Sequence, residues 1–334
     1  MPPEPADETD SGRWSDMVDA DQVARSKAIQ QRTGKTFHVA TRLLPERVRE
    51  ATYVLYAFFR VADEVVDDAG ETTPEQQREQ LAEIRAAALG ETETDDPVLS
   101  AFSELREEYE LADDDIETFL DAMVSDIETD QYDTYAELEA YMDGSASAVG
   151  RMMTDVMAPD EPNQALPHAT ALGEAFQLTN FLRDVREDVI ERDRIYLPQS
   201  TLEQHGVSNE QIENFEMDSK FAAVMQTELH RAEGLYDEGV AGIKYLPEDC
   251  QLAVLLAAVL YADHHRLIRS LEYDVLSTTP QLSTSRKLYL LARTRWQWVW
   301  NKDPEAVFRN VTGGDGSGGM FTRGAKLVDR LPVR

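Results

Sequence analysis

The 334-residue chain carries 64 acidic against 32 basic residues, a formal net charge of −32, and only seven of the basic residues are Lys. A surface this acidic and this poor in Lys suits a salt-saturated cytoplasm, where carboxylates hold water and dense salt screens their repulsion. With no compact Lys/Arg cluster to neutralise phosphates, the sequence argues against nucleic acid as a partner.

From the N-terminus, Met1 to Asp21 is acidic, Pro-bearing and without an apolar h-region. It reads as a disordered acidic lead rather than a secretory signal. Beyond it, apolar residues recur at three and four spacings, and alternating Val/Ile/Thr runs with hairpin turns are absent, so the chain is expected to be all-α. Helices are predicted over about 21–31, 45–69, 74–89, 96–110, 113–129, 133–157, 163–192, 207–242, 247–273 and 283–309. Pro45, Pro74, Pro97 and Pro247 fall near helix starts, where a missing N–H costs little, and Pro159, Pro162 and Pro198 mark breaks. The helix from Tyr135 has a small-residue middle, Gly144-Ser-Ala-Ser-Ala148 then Val149 and Gly150. Such a stretch either admits a neighbouring helix closely or leaves room for a ligand. One helical domain over 22–309 and a flexible Gly-containing tail over 310–334 complete the reading. The one cysteine, Cys250, excludes an internal disulfide and fits a reducing interior, where a small buried hydrophobe is the expected role. The longest apolar run, Leu252 to Tyr261, is only about half a bilayer span. The expected state is therefore soluble and cytoplasmic, with peripheral membrane contact at most.

Two helical segments carry the chemistry. At about 100° per residue, Arg60, Asp63 and Asp67 project within about 60° of one another, as do Gln177, Asn180, Asp184 and Asp188. The Asp-x-x-x-Asp spacing alone is not diagnostic, because it occurs a third time at Asp126 and Asp130. Context separates the first two: Tyr53, Val54, Leu55, Phe58 and Phe59 precede one stripe, and Phe176, Leu178, Phe181 and Leu182 surround the other. Carboxylates at the mouth of an apolar interior need a cation to offset repulsion and desolvation, and magnesium is the natural candidate, with manganese as a substitute. Two such stripes facing each other suit a diphosphate ester with an apolar tail, clamped by Arg60, Arg183 and Lys35 and ionised to an allylic cation sheltered by aromatic faces.

The run from Gly34 to Pro45, continued by Ala51-Thr-Tyr-Val-Leu-Tyr-Ala-Phe-Phe-Arg-Val-Ala-Asp-Glu-Val-Val-Asp67, closely resembles the phytoene and squalene synthase family of head-to-head prenyl synthases. Gln177 to Asp188, followed by Arg194-Ile-Tyr-Leu-Pro198, resembles that family's second signature, and the similarity spans roughly residues 25 to 295. The resemblance implies a single isoprenoid-synthase helical bundle with a central apolar cavity. It implies condensation of two identical allylic diphosphates through a cyclopropylcarbinyl diphosphate. It assigns magnesium to Asp63, Asp67, Asp184 and Asp188, the diphosphates to Lys35, Arg60 and Arg183, and the second motif's lining to Gln177 and Asn180. Tyr56 and Tyr141 fall at positions of tyrosines near the reacting centre, with a core aromatic as the alternative for each. Two departures stand out: Tyr141-Met-Asp-Gly lacks the family's Val-Ala pair, and Arg186 replaces a common Gly, where it is available as an extra phosphate contact. The first motif looks most like the carotenoid branch, so the expected product is phytoene from two geranylgeranyl diphosphates. Squalene synthesis from farnesyl diphosphate with NADPH, or dehydrosqualene synthesis without it, is the alternative, and a non-catalytic assembly protein is the reading from another class. Peripheral membrane contact would serve product release, and the oligomeric state is left open.

Overall fold

The computed structural model describes residues 26–28, 39–67 and 72–313. The predicted helix over 21–31, Lys35, the expected acidic lead and most of the expected tail thus lie largely outside the described residues. Within them the chain is helical, with no strand and a single bridge pairing Gln131 with Ile195.

Thirteen α-helices are described. They are α1 (Glu46–Asp67), α2 (Pro74–Ala88), α3 (Pro97–Glu108), α4 (Asp113–Ser125), α5 (Tyr135–Met142), α6 (Ala148–Met157) and α7 (Pro162–Glu187). They continue as α8 (Gln199–His205), α9 (Asn209–Glu213), α10 (Ser219–Ala241), α11 (Glu248–Ser270), α12 (Thr284–Trp300) and α13 (Pro304–Thr312). Their starts follow local chemistry. Thr73 and Thr134 form capping boxes with Gln76 and Glu137, and Asp96, Asp218, Ser283 and Asp303 accept from the first free N–H groups of α3, α10, α12 and α13. These caps also explain where the predicted helices divide. The span expected over 207–242 breaks into α9 and α10 because Asp218 caps a new start, and α8, which the sequence reading did not anticipate, ends at Gly206 in the left-handed region (φ 69°). The span expected over 283–309 divides at Asp303-Pro304, where proline cannot continue the α12 ladder. Helix α4 stops at Ser125, so Asp126 lies just past its end.

Two predicted helices contain a wider π turn. Asp143–Ser147 joins α5 to α6, and Asp188–Arg192 ends α7 before Asp193 turns left-handed (φ 54°). Single π turns recur at functional sites because they re-aim side chains out of the regular ladder.

Helix α7 is the central element, packed against α6, α10 and α11 and against both π turns. The core divides around it. Stacked Phe58 and Phe102, 3.7 Å between centroids, anchor the larger part with α1 to α6. Tyr236, Leu255, Trp298 and Phe308 anchor the part shared by α10 to α13. Where α6 and its π turn cross α7, backbone meets backbone: a Cβ on Gly173 would sit 2.5 Å from the Ala146 carbonyl oxygen, and one on Gly150 2.6 Å from that of Ala169. The same stretch, through Ser145, Ala146, Val149 and Gly150, lines a cavity. Both expected uses of the small-residue segment are therefore realised in one place.

Among the described residues no helix is long and apolar enough to cross a membrane. Cys250 is fully buried, and burial pushes its thiol up to about 12, away from nucleophilic use. Helix α12 carries Arg286, Lys287, Arg293 and Arg295 and no acidic residue, but these are spread around the helix and Arg286 is paired with Asp263.

Candidate active site

The cavity of about 480 Å³ lies between α1, α4, the α5–α6 unit, α7 and α11. Helix α7 forms one wall from end to end, through Ala165, Leu172, Phe176, Gln177, Asn180 and Arg183. These residues recur at three and four spacings, so they share a face. Tyr56, Phe59, Arg60 and Asp63 descend the opposite wall from α1, and Phe119, Met123, Met153 and Met157 add apolar surface. Seven of the sequence-predicted residues thus line one cavity: Tyr56, Arg60, Asp63, Tyr141, Gln177, Asn180 and Arg183.

The remaining carboxylates gather at its mouth, each held by arginine. Arg60 donates to Asp63 at 2.6 Å and to Glu64 at 3.1 Å. Arg183 Nε donates to Asp184 at 2.6 Å, with a second hydrogen bond beside it. Arg192, a residue the sequence reading did not single out, spans the two stripes. It donates to Asp67 Oδ2 at 2.9 Å and Oδ1 at 3.2 Å, and to Asp188 at 3.0 Å. The two stripes therefore face each other across one guanidinium. Asp67 and Asp188 are almost covered, with side chains 12% and 8% exposed.

The acids outnumber what the arginines neutralise in this recess. Burial first, and then the Asp67 charge, lifts Asp63 to about 6, although its side chain keeps 39% of its surface at the open mouth. Burial lifts Asp188 to about 7 against the pull of Arg192, with Asp184 and Asp67 adding repulsion. For Arg192 the hydrogen bonds to Asp67 outweigh burial and drive its pKa upward. For Arg183, burial pulls down and Asp184 pushes up more, so the guanidinium stays charged.

Below this rim lies a buried polar-aromatic cluster. Tyr141 donates to Asp126 Oδ2 at 2.9 Å, and Arg194 donates to the Asp126 carbonyl with its guanidinium 3.5 Å from Asp126 Oδ1. Tyr132, Tyr141, Tyr196 and Phe181 pack ring against ring, with Phe181 and Tyr196 stacked at 3.9 Å. Burial raises Asp126 to about 7, and burial raises the hydroxyl pKa values of Tyr132, Tyr141 and Tyr196. Asp126 Oδ1, Tyr132 Oη and the cavity-lining Ser145 Oγ are buried without a hydrogen-bond partner. The third Asp-x-x-x-Asp match, left open by the sequence, forms no stripe: Asp126 is buried, while Asp130 is exposed beyond the helix and offers its backbone carbonyl to Ile195. Arg186, which the motif left available as an extra phosphate contact, is engaged elsewhere. It lies over the Phe215 ring and donates to the Leu276 carbonyl at 2.6 Å, and it is absent from the cavity lining.

Among the described residues no three His, Cys, Asp or Glu converge closely enough to hold a metal. The donor chemistry nonetheless fits a hard cation. Two helices offer carboxylate oxygens, two of them held toward the neutral form by burial and then by neighbouring carboxylates, and the one group spanning the stripes is a cation.

An all-α bundle around an apolar cavity with two facing acidic stripes at its mouth defines the isoprenoid-synthase class of helical enzymes. The comparisons fix the family. Residues 30–287 match the squalene/phytoene synthase family model. The phytoene synthase of Rhodobacter capsulatus is 32% identical over 270 residues, covering 79% of this chain and 78% of that protein. The phytoene synthase of Cereibacter sphaeroides is 35% identical over 281 residues, covering 80% and 76%. A solved dehydrosqualene synthase with bound ligand superimposes with a TM-score of 0.76 at 27% identity, covering 87% of this chain and all of that one. The chain belongs to the squalene/phytoene synthase family, and it is a prenyltransferase of that family.

Proposed function

We propose that the protein condenses two geranylgeranyl diphosphates head to head, through a cyclopropylcarbinyl diphosphate, to phytoene, the first committed step of carotenoid synthesis. The observation that carries this reading is the acid-rimmed apolar cavity with all four aspartates in place, supported by several phytoene synthases at 32–35% identity. Asp63, Asp67, Asp184 and Asp188 would hold magnesium or manganese. When bound, such ions supply charge neutralisation for the leaving diphosphate.

The residues of the chain do the rest. Arg60 and Arg183, each already aimed at a carboxylate from the cavity wall, bind the diphosphate oxygens with Lys35, and Gln177 and Asn180 orient the allylic carbons beneath them. Ionisation breaks the C–O bond, and the diphosphate leaves with the electron pair. The second substrate's double bond supplies the electrons for the new C–C bond, and loss of a proton balances the charge. The cyclopropyl intermediate repeats the ionisation, rearranges, and loses a final proton. Tyr56 and Tyr141 stand by the cation. Tyr141 donates its hydroxyl hydrogen to Asp126, leaving its oxygen lone pairs and ring face to stabilise positive charge. The apolar lining from Phe59 to Met157 excludes the water that would otherwise capture the cation.

Dehydrosqualene or squalene synthesis from farnesyl diphosphate is the second reading, favoured by the fold match to a dehydrosqualene synthase, and only squalene formation would call for NADPH. Product analysis decides. The purified protein in concentrated KCl with magnesium is offered each diphosphate separately, with and without NADPH. Phytoene from the C20 substrate regardless of NADPH is the expected result. Squalene from the C15 substrate only with NADPH would overturn it.

A further inference from the structure

The condensation described above sheds a proton from carbon when the cyclopropane closes and again at the end, so the cavity must place a group to take it. The titratable side chains of the lining narrow the choice. Arg60 and Arg183 are cations, and Asp63 is taken by Arg60 at 2.6 Å. His168 lies about 22 Å along α7 from Arg183, far from the rim where the diphosphate leaves. Tyr56, Tyr141 and Tyr261 remain, and a neutral phenol takes up a proton only as it gives up its own. Tyr141 is placed to do so, because its hydroxyl already donates to Asp126 Oδ2 at 2.9 Å. Its ring is clamped by Tyr132, Tyr196 and Phe181, at 5.3, 6.0 and 6.3 Å between centroids, so the hydroxyl is fixed in direction.

Asp126 is a carboxyl with one oxygen left bare. It is 6% exposed and absent from the cavity lining, so it reaches the substrate only through Tyr141. Its Oδ1 is buried without a hydrogen-bond partner. The neighbouring cation, Arg194, spends its donors on the Asp126 backbone carbonyl and on Tyr196 Oη at 3.2 Å, and stops 3.5 Å from Oδ1. A buried carboxylate is held ionised by hydrogen bonds to both oxygens, and one that lacks them keeps its affinity for a proton. The titratable and charged groups around it are Arg194, Tyr132, Tyr141 and Tyr196, with Asp63 and Asp67 acting from α1. Burial outweighs the pull of Arg194 and places the carboxyl at about 7, where an acceptor working at neutral pH belongs.

We propose that Tyr141 and Asp126 form a proton relay, in which Tyr141 Oη takes the proton lost from carbon and Asp126, its positioning residue, takes the hydrogen that Tyr141 gives up. The inference rests on the proposed condensation and names its base. The C–H bond breaks, and its electron pair closes the cyclopropane or forms the new double bond. The proton joins a lone pair of Tyr141 Oη while the hydrogen shared with Asp126 crosses to Oδ2. The tyrosine ends neutral and the carboxylate ends as a carboxylic acid. The departing diphosphate carries the proton away and restores the carboxylate.

The test uses the full chain with magnesium in concentrated KCl and whichever of the two diphosphates it turns over, with melting curves to show that each variant folds. D126N removes the acceptor and keeps a hydrogen-bonding partner for Tyr141, so kcat should fall about a hundredfold or more with KM little changed. Wild-type kcat should rise with pH through about 7 as the carboxylate forms, and D126N should lose that limb. D126E should regain roughly tenfold of the lost turnover, which a purely structural role would not give. Y141F should fall as far as D126N, and D126N/Y141F no further, because the two groups act as one unit. D126N that keeps wild-type turnover and pH profile would overturn the relay and hand the proton directly to the leaving diphosphate. Losses that add in the double variant would overturn it as well. Wild-type protein that condenses neither diphosphate would overturn the proposed function and the relay with it, so the two failures are told apart.

Discussion

Arg192 occupies the ground that a cation would occupy, and its removal separates the two effects. Its guanidinium donates to Asp67 at 2.9 and 3.2 Å and to Asp188 at 3.0 Å, while its own side chain is 30% exposed and its partners are nearly covered. An exposed pair contributes up to about 1 kcal/mol and breaking a buried one costs about 3–5 kcal/mol, so Arg192→Met is expected to destabilise by about 2 kcal/mol. In a chain of this size that lowers the melting temperature by about 4 °C without divalent ions. The same 2 kcal/mol is what magnesium must overcome to take the carboxylates in the wild type. Freed of that competitor, the variant should bind magnesium about thirtyfold more tightly. Differential scanning fluorimetry across a magnesium titration reads both quantities: the variant starts lower and gains more, at lower metal concentration. A variant that melts earlier yet responds to magnesium no better than the wild type would refute the idea that Arg192 and the metal share one seat.

Four further outcomes follow from the geometry. Asp184→Asn should lower turnover on the order of a hundredfold or more with little change in melting, because it removes a carboxylate of the rim and keeps a hydrogen-bonding side chain for Arg183; unchanged turnover would refute a catalytic role for this carboxylate. Asp126, raised by burial to about 7, is a carboxyl that the folded state holds protonated well above the ordinary carboxylate range, so it costs stability as pH rises from about 4 through 7. Asp126→Asn should remove that slope, and its stability relative to wild type, followed by thermal denaturation, should climb over the window and level off above pH 7. Gly173→Ala should destabilise by about 2–3 kcal/mol, since the new Cβ would lie 2.5 Å from the Ala146 backbone oxygen and neither helix can yield without reopening the crossing; an unchanged melting temperature would contradict this. Ala165→Phe, about 28 Å along α7 from Asp184, should lower the C20-to-C15 preference in a competition assay by roughly tenfold without displacing the rim.

The helices and the acidic stripes could be read in the residues themselves because each is local. Asp63 and Asp67 share a face whatever the rest of the chain does, and Thr73, Asp96 and Thr134 announce their helices through their own side chains. What escaped the sequence depends on the approach of distant segments. Arg192 reads as an ordinary surface charge until Asp67, 125 residues earlier, comes to lie beside it. Asp126 looked like half of a third stripe until α4 stopped one residue short of it and Tyr141 arrived from α5. The π turns leave no compositional mark, since widening one turn exchanges hydrogen-bond partners without changing residue types. Arg186 is a further case: its position in the motif left a phosphate contact open, and only the fold shows that its neighbours are the Phe215 ring and the Leu276 carbonyl.

One rod, α7, holds Asp184 near one end and Ala165 near the other. Under the proposed function this helix serves as a ruler whose zero mark is the aspartate, with Pro167 interrupting its ladder near the far end. Changes at the far graduations, Ala165, His168 or Leu172, alter the length that can be measured without moving the zero. Selection on such a molecule can lengthen or shorten the accepted tail one helical turn at a time while the ionisation machinery is inherited intact.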